Sequence, residues 1–295
     1  MNEFKSYHPI VNFVYFAFVI GFSMFIMNPI CLGISFICGF TYSVMLGGHK
    51  MFMTNLIYML PIVIVAAIIN AAFNHEGLTI LAYLPDGNPL TLESLLYGLA
   101  ASIMIINVIF WFSCYNGVMT SDKFIYIFGR VIPSLSLILS MTLRLVPRLT
   151  AHFKTVINAQ KCIGRDITQG SIIRRIKNGL SVISAVTTWA LENSIDTSES
   201  MKARGYGIPG RSAFSVFKFN SRDKNMLIYI LACAVYILIG NYFEKIDFRY
   251  FPTIKHTGFT FENISIFAVY FALYIVPLII EIREVIKWKA IESKI

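Results

Sequence analysis

The sequence predicts an all-α integral membrane protein of about six transmembrane helices, with a cytosolic helical domain inserted before the last two. Three observations carry that expectation. The 295-residue chain is 56% hydrophobic, with a mean hydropathy of +0.66, whereas soluble domains run nearer ~45–50% apolar. Only 14% of its residues are charged, against about 25% in soluble domains. A water-soluble core of this size cannot hide so much apolar surface, so lipid is the solvent for much of it. Third, the apolar residues fall in runs of spanning length, and one long stretch between them is instead charged and periodic.

A membrane helix needs about 20 mostly apolar residues. Such runs occur at about 10–27, 29–46, 55–73, 94–113, 225–243 and 264–282. The first two are joined only by Asn28-Pro29 and read as a hairpin. No small-residue cleavage site follows the first run, so it reads as a retained membrane helix and not a signal peptide. The chain then divides into N-terminal membrane helices (1–113), a helical domain (114–224) and C-terminal membrane helices (225–295).

Phe124–Val146 is long enough to cross a bilayer, but Arg130, Pro133 and Arg144 interrupt it. If it does not cross, both termini, the 47–54 loop and the whole 114–224 stretch share one side. Of the 25 lysines and arginines, only Lys245, Arg249 and Lys255 then lie on the other side. Positive charge is retained in the cytoplasm, so the basic stretch and both termini are expected there. The net charge of +9 is explained by that asymmetry and not by a nucleic-acid partner.

The 114–224 stretch reads as three helices. From Ser136 the apolar spacing Leu139, Leu143, Val146 continues past Pro147 to Leu149, Phe153, Val156 and Ile157, with Gly164 as the stop. A second helix begins after Ser171 and carries Arg174, Arg175 and Lys177. A third runs from about Leu180 to Arg204, with Ile183, Val186, Ala190, Leu191 and Ile195 as its apolar stripe and Glu192, Asp196 and Glu199 beside it. Gly205 closes it in the C′ position.

Gly205, Gly207 and Gly210 spell the G-x-G-x-x-G of dinucleotide loops. That motif must follow a strand and open a helix, so that backbone N–H groups meet the phosphates. Here the glycines follow a helix and Pro209 sits among them, so they read as a helix stop and a turn. The "LGGHK" segment near Gly47 lacks P-loop spacing. The five cysteines and five histidines are scattered, without ligand spacing. No cofactor and no metal are expected. Ionisable residues are missing from the interior of the runs, apart from Glu281 and Arg283 at the end of the last, which argues against a self-contained ion path.

Arg204 has two readings. A cation in the last helical turn interacts favourably with the helix dipole, worth ~0.3–1 kcal/mol. Its neighbours Ala203 and Gly205 also leave the guanidinium on a bare tip, where a partner's backbone or carboxylate can approach and pair bidentately.

Four segments carry a family resemblance: "LSMTLRLVPRL" (139–149), "INAQKCIGRD" (157–166), "TWALENSIDTSESMKARGYG" (188–207) and "GRSAFSVFKFNSRD" (210–223). Over about 135–224 the chain resembles the transmembrane T component of energy-coupling factor (ECF) transporters, the EcfT/CbiQ-like family. The resemblance implies a prokaryotic cell-membrane protein that is not itself an enzyme. It implies two ABC-type ATPase subunits and one substrate-binding S component as partners, for vitamin or metal-ion uptake. In that family two long coupling helices each end in an X-Arg-X signature whose arginine enters a groove on an ATPase. Ala203-Arg204-Gly205 corresponds to the second signature. The first departs from the pattern. An ungapped match places Ile163 at the arginine and Gly164 at the glycine, and the nearest arginine, Arg165, is expected to take the role, with Asp166 pairing with it or capping the next helix. An integral membrane enzyme and the permease subunit of an ordinary ABC transporter are the alternatives. The first needs an acid–base or ligand cluster beyond Glu192, Asp196 and Glu199, the second a shorter cytosolic loop.

Overall fold

A computed structural model of the protein describes residues 3–74, 76–83, 89–206, 208, 217–253, 255–256 and 260–292. Gly207, Pro209, Gly210 and the rest of the 209–216 segment lie outside the described residues. The protein is an all-α integral membrane protein, and its only strands among the described residues form two short antiparallel hairpins. The chain divides into two compact units, Met1–Lys123 with Phe217–Ile295, and Phe124–Val216.

In the first unit, α1 (Pro9–Phe25) opens on His8, whose Nδ1 accepts from the Ile10 amide at 3.3 Å, with Pro9 in the first turn. Helix α2 (Pro29–Phe73) opens in the same way on Asn28 and Pro29. Proline suits this position because the N–H it lacks has no partner there. The Asn28-Pro29 turn of the sequence is therefore two caps back to back. Helix α2 comprises two helical segments that meet in a kink at Gly48, whose φ of +63° and ψ of −154° are non-helical, and the second segment folds back on the first. Twelve residues of straight helix would span about 18 Å. Instead Asn55 Nδ2 donates to Ser43 Oγ at 2.9 Å, and the Phe40 and Phe52 rings lie 5.7 Å apart. The 47–54 connection expected as a loop is thus helical except at one glycine, which supplies a backbone conformation that side chains disfavour.

The hairpin β1 (Ile80–Tyr83) and β2 (Pro89–Thr91) leads into α3 (Leu92–Val118), which runs through Cys114. After the middle unit come α7 (Ser221–Tyr242), the hairpin β3 (Phe248–Arg249) and β4 (Lys255–His256), and then α8 (Phe261–Tyr274) and α9 (Val276–Glu292). By length and composition α2, α3 and α7 can cross a membrane, and α8 and α9, bent by 49° at their junction, are apolar and long enough only when taken together. Pro277 at that bend offers no N–H to the preceding turn. Helix α1 is shorter, at 17 residues.

The core of this unit is aromatic, with Tyr15, Phe16, Tyr42, Trp111, Tyr270 and Tyr274 fully buried. It also holds a hydrogen-bonded chain. Trp111 Nε1 donates to Ser35 Oγ at 3.1 Å, Ser35 and Ser23 are 2.8 Å apart, Ser23 and Tyr274 Oη are 2.8 Å apart, and Tyr274 Oη donates to the Val19 carbonyl at 2.7 Å. Each hydroxyl has one proton, so the direction follows: indole to Ser35, to Ser23, to Tyr274, to the carbonyl. Tyr270 Oη donates to Tyr274 Oη as well, at 2.8 Å. Within a membrane such groups have no water to turn to, and internal pairing is the only solution.

The first residues are strapped to the same unit. The turn Phe4–Ser6 offers the Phe4 amide to Glu281 at 3.4 Å, and the His8 amide donates to Asp223 at 3.1 Å. Arg222 pairs with Glu3 at 2.7 Å, donates to Ser6 Oγ at 2.9 Å, and lies over the Tyr7 ring at 4.2 Å. Asp223 also closes a capping box with Asn220 at the start of α7. Lys123, 4% exposed, donates to the Lys5 carbonyl at 2.5 Å. With the Asn12 amide turned so that its oxygen faces the ammonium, Lys123 also donates to that oxygen at 2.7 Å. The strap thus holds Lys123, the last residue before the middle unit, and Arg222-Asp223, just after it.

The middle unit contains most of α4 (Ser121–Val131), α5 (Pro133–Cys162) and α6 (Ile172–Ala203). The ambiguous Phe124–Val146 run is broken at Ile132 (φ −132°, ψ 88°) and is not among the spanning helices. The residue before a proline is pushed out of the α region, and Pro133 follows. The second and third helices expected after Ser171 are one. A single Gly179 costs about 1 kcal/mol in a helix without ending it, and the apolar positions Ile172, Ile176 and Ile183 continue in helical steps.

Candidate functional site

Helices α5 and α6 pack against each other around Trp189. The His152 ring stacks on it at 4.0 Å and 16°, and the Arg148 guanidinium lies 5.4 Å from its centroid. Near the start of α6, Val182 is fully buried and Asn178 nearly so. Asn178 Nδ2 donates to the Asp166 carbonyl and Arg175 Nε to the Ile167 carbonyl, both at 3.0 Å. The connection between the helices is therefore fastened to α6.

Both helices end in the same motif. At the end of α5 the Gly164 amide bonds the Lys161 carbonyl at 3.1 Å and the Arg165 amide reaches back to Gln160 at 2.9 Å. At the end of α6 the Gly205 amide bonds Lys202 and the Tyr206 amide reaches back to Met201, both at 3.0 Å. Each is a Schellman cap, with its left-handed residue at φ +77° (Gly164) and +74° (Gly205). The glycine stops expected at 164 and 205 are where the helices end.

Superimposing the caps by position pairs Cys162 with Ala203, Ile163 with Arg204, Gly164 with Gly205, and Arg165 with Tyr206. Ile163 (φ −94°, ψ 17°) and Arg204 (φ −86°, ψ 10°) share a backbone conformation. The place of Arg204 on the first tip is thus held by Ile163, and Arg165 stands two residues further on. Ala203 and Arg204 are exposed, and Gly205 is half-buried. Among the described residues Arg204 and Arg165 enter no ion pair.

Asp166 pairs with Lys161 at 3.8 Å, and Oδ1 accepts from the Thr168 amide at 2.9 Å and its hydroxyl at 2.8 Å. The Thr168 amide and hydroxyl, with a smaller contribution from Lys161, hold the Asp166 carboxyl below the usual carboxylate range. Asp166 thus organises its own loop. Glu192, Asp196 and Glu199 are all exposed along α6, and no group of three His, Cys, Asp or Glu able to hold a metal occurs among the described residues. The arrangement offers two shaped tips on one pinned pair of helices. Sequence reading missed Trp189 as the pin and Asn178 and Arg175 as the loop fasteners. The equivalence of Ile163 and Arg204 was signalled by the glycine following each.

Residues 4–215 match the family CbiQ, described as cobalt transport protein. Among curated relatives, the energy-coupling factor transporter transmembrane protein EcfT of Lactococcus lactis subsp. cremoris (strain MG1363) is 28% identical over 106 residues, 36% of this chain and 40% of that protein. The EcfT of Lactobacillus helveticus (strain DPC 4571) is 32% identical over 114 residues, 38% and 41% of the two chains. That of Streptococcus thermophilus (strain ATCC BAA-250 / LMG 18311) is 31% identical over 102 residues, 34% and 39%. The chain spans about two fifths of the length of these relatives. With the family match running from residue 4 to residue 215, through the N-terminal membrane helices and both helix tips, the chain belongs to the CbiQ family.

Proposed function

We propose that the chain is the transmembrane coupling subunit of an ECF-type importer in a prokaryotic cell membrane. It joins two ABC-type ATPase subunits to one substrate-binding S component, for uptake of a vitamin or a metal ion. ATP hydrolysis belongs to the partners. Both termini and the 114–224 domain face the cytoplasm in this reading, which the distribution of lysine and arginine supports. The observation that carries the role is the pair of identical caps at the ends of two helices pinned at Trp189. A rigid pair of tips transmits a change in the separation of two ATPases as a lever does. Arg204, flanked by Ala203 and Gly205, enters one ATPase groove, and the Gly164 tip with Arg165 approaches the other.

The test is Arg204→Glu in the co-expressed complex. Removing one partner of a buried charge pair typically costs ~3–5 kcal/mol, and reversing the charge costs at least as much. The variant is expected to reach the membrane normally while ATPase co-purification and substrate uptake are lost. An Arg204→Glu complex that stays intact and transports at the wild-type rate refutes the role.

A further inference from the structure

The two caps share geometry but not chemistry at the residue just before the glycine. On the second tip this position holds a guanidinium. On the first it holds Ile163, a large apolar side chain left 65% exposed and followed by a glycine that adds no bulk. We propose that the first tip docks through Ile163 into an apolar seat on its ATPase subunit, whereas the second docks through Arg204 into a seat with hydrogen-bond acceptors. The two seats are thus chemically different, and Arg165 stays at the rim of the first. This rests on the coupling role proposed above and specifies the partner chemistry at each tip.

Two considerations lead there. First, Arg165 is not free to move into the cap position. Sliding the chain by two residues breaks the Gly164–Lys161 and Arg165–Gln160 bonds, and strains the Asn178–Asp166 and Arg175–Ile167 bonds that hold the next two residues to α6. In a Schellman cap the C″ residue, here Arg165, follows the chain reversal, so it corresponds to Tyr206 on the second tip and not to Arg204. Second, an acidic seat facing Ile163 would lose its water on docking and gain no cation. An unpaired buried carboxylate opposes association strongly, and the complement to an exposed isoleucine is an apolar wall. The same reasoning excludes Ile163 from the seat that takes Arg204, which fixes which tip enters which seat.

The experiment uses the full chain co-expressed with its ATPase and substrate-binding subunits, with retention of each ATPase quantified after gentle solubilisation. Ile163→Leu is expected to retain both within about twofold. Ile163→Asp and Ile163→Arg are each expected to lower retention by at least about tenfold, the scale of a central interface contact. Arg165→Ala is expected to stay within about threefold. Because Ile163 is exposed on the tip, none of these variants disturbs a core, and a monodisperse elution profile of the isolated chain confirms folding. Retention that is unchanged or raised in Ile163→Arg overturns the proposal, as does a loss in Arg165→Ala equal to that of Arg204→Glu. Indifference to Arg204→Glu refutes the coupling role itself. Loss with Arg204→Glu together with indifference to Ile163→Asp refutes the apolar seat alone.

Discussion

Lys123 offers a quantitative handle on the N-terminal strap. It is 4% exposed, and its ammonium donates to the Lys5 carbonyl and, in the favourable amide orientation, to Asn12. Burial, with a smaller contribution from the nearby Lys5 charge, pulls its pKa from 10.5 down to about 8. The folded value lies below the unfolded one, so the unfolded chain binds more protons between about pH 8 and 10.5, and stability rises with pH across that window. Each pKa unit corresponds to 1.36 kcal/mol, so below pH 8 the charged form costs about 3 kcal/mol, of which about 2 kcal/mol is recovered by pH 9.5. For a chain of this size that is about 3 °C in Tm. The measurement compares the thermal unfolding of wild-type protein and Lys123→Met in detergent at pH 7.5, 8.5 and 9.5. Other groups titrate in this range and cancel in the difference between the two proteins. The gap in Tm is expected to move in favour of the wild type as pH rises. Parallel curves would show that Lys123 is not desolvated in the folded protein, and the strap would then be a loose contact.

Three further perturbations test other parts of the structure. Trp189→Ala removes both the His152 stack and the Arg148 contact. It is expected to cost about 1–2 kcal/mol, read as roughly tenfold faster amide exchange where α5 meets α6, with Trp189→Phe intermediate. Gly205→Ala places a side chain at φ +74° with its Cβ 3.0 Å from Ile208 Cδ1, whereas Gly164→Ala at φ +77° meets nothing within 4 Å. Both incur the left-handed penalty of about 1–2 kcal/mol, and Gly205→Ala is expected to expose the Tyr206 amide to exchange more than Gly164→Ala exposes that of Arg165. In the core, Tyr274→Phe deletes the hydroxyl shared by Ser23, Tyr270 and Val19, while Tyr270→Phe, an equally conservative change of shape, removes one donor to that hydroxyl. With each membrane hydrogen bond worth about 0.6 kcal/mol, Tyr274→Phe should lower Tm more than Tyr270→Phe. The reverse order would refute the shared role of the Tyr274 hydroxyl.

What the sequence disclosed follows the range of the forces involved. Helix ends were legible because capping is local: Asn28-Pro29, Gly164 and Gly205 act on atoms within a few residues. The break before Pro133 is equally local, and it settles the continuity of Phe124–Val146 without reference to charge. The fold-back at Gly48 reads as a loop in the sequence because length and polarity mark a turn, whereas a single glycine with a positive φ suffices to join two helical segments. The fusion of the second and third helices has the converse cause: Gly179 carries the composition of a break but not its geometry. The polar chain was invisible, since Ser23 and Tyr274 are 251 residues apart and neither stands out in its own neighbourhood. The same holds for Glu281, which looks like a stray charge at a span end until it meets the Phe4 amide.

The first tip shows where local and long-range reasoning part. Residue type alone points there to Arg165, the nearest arginine. Cap geometry asks instead which residue occupies the last non-glycine place before the reversal, and the answer is Ile163. Residue type says what a side chain can pair with, while cap position says which residue of one tip corresponds to which residue of the other. When the two disagree, position decides, because moving a residue by two places in a Schellman cap breaks two hydrogen bonds, each worth about 1 kcal/mol net, before any partner is reached. A cation displaced to C″ therefore does not replace one at the cap, and the two tips present different surfaces.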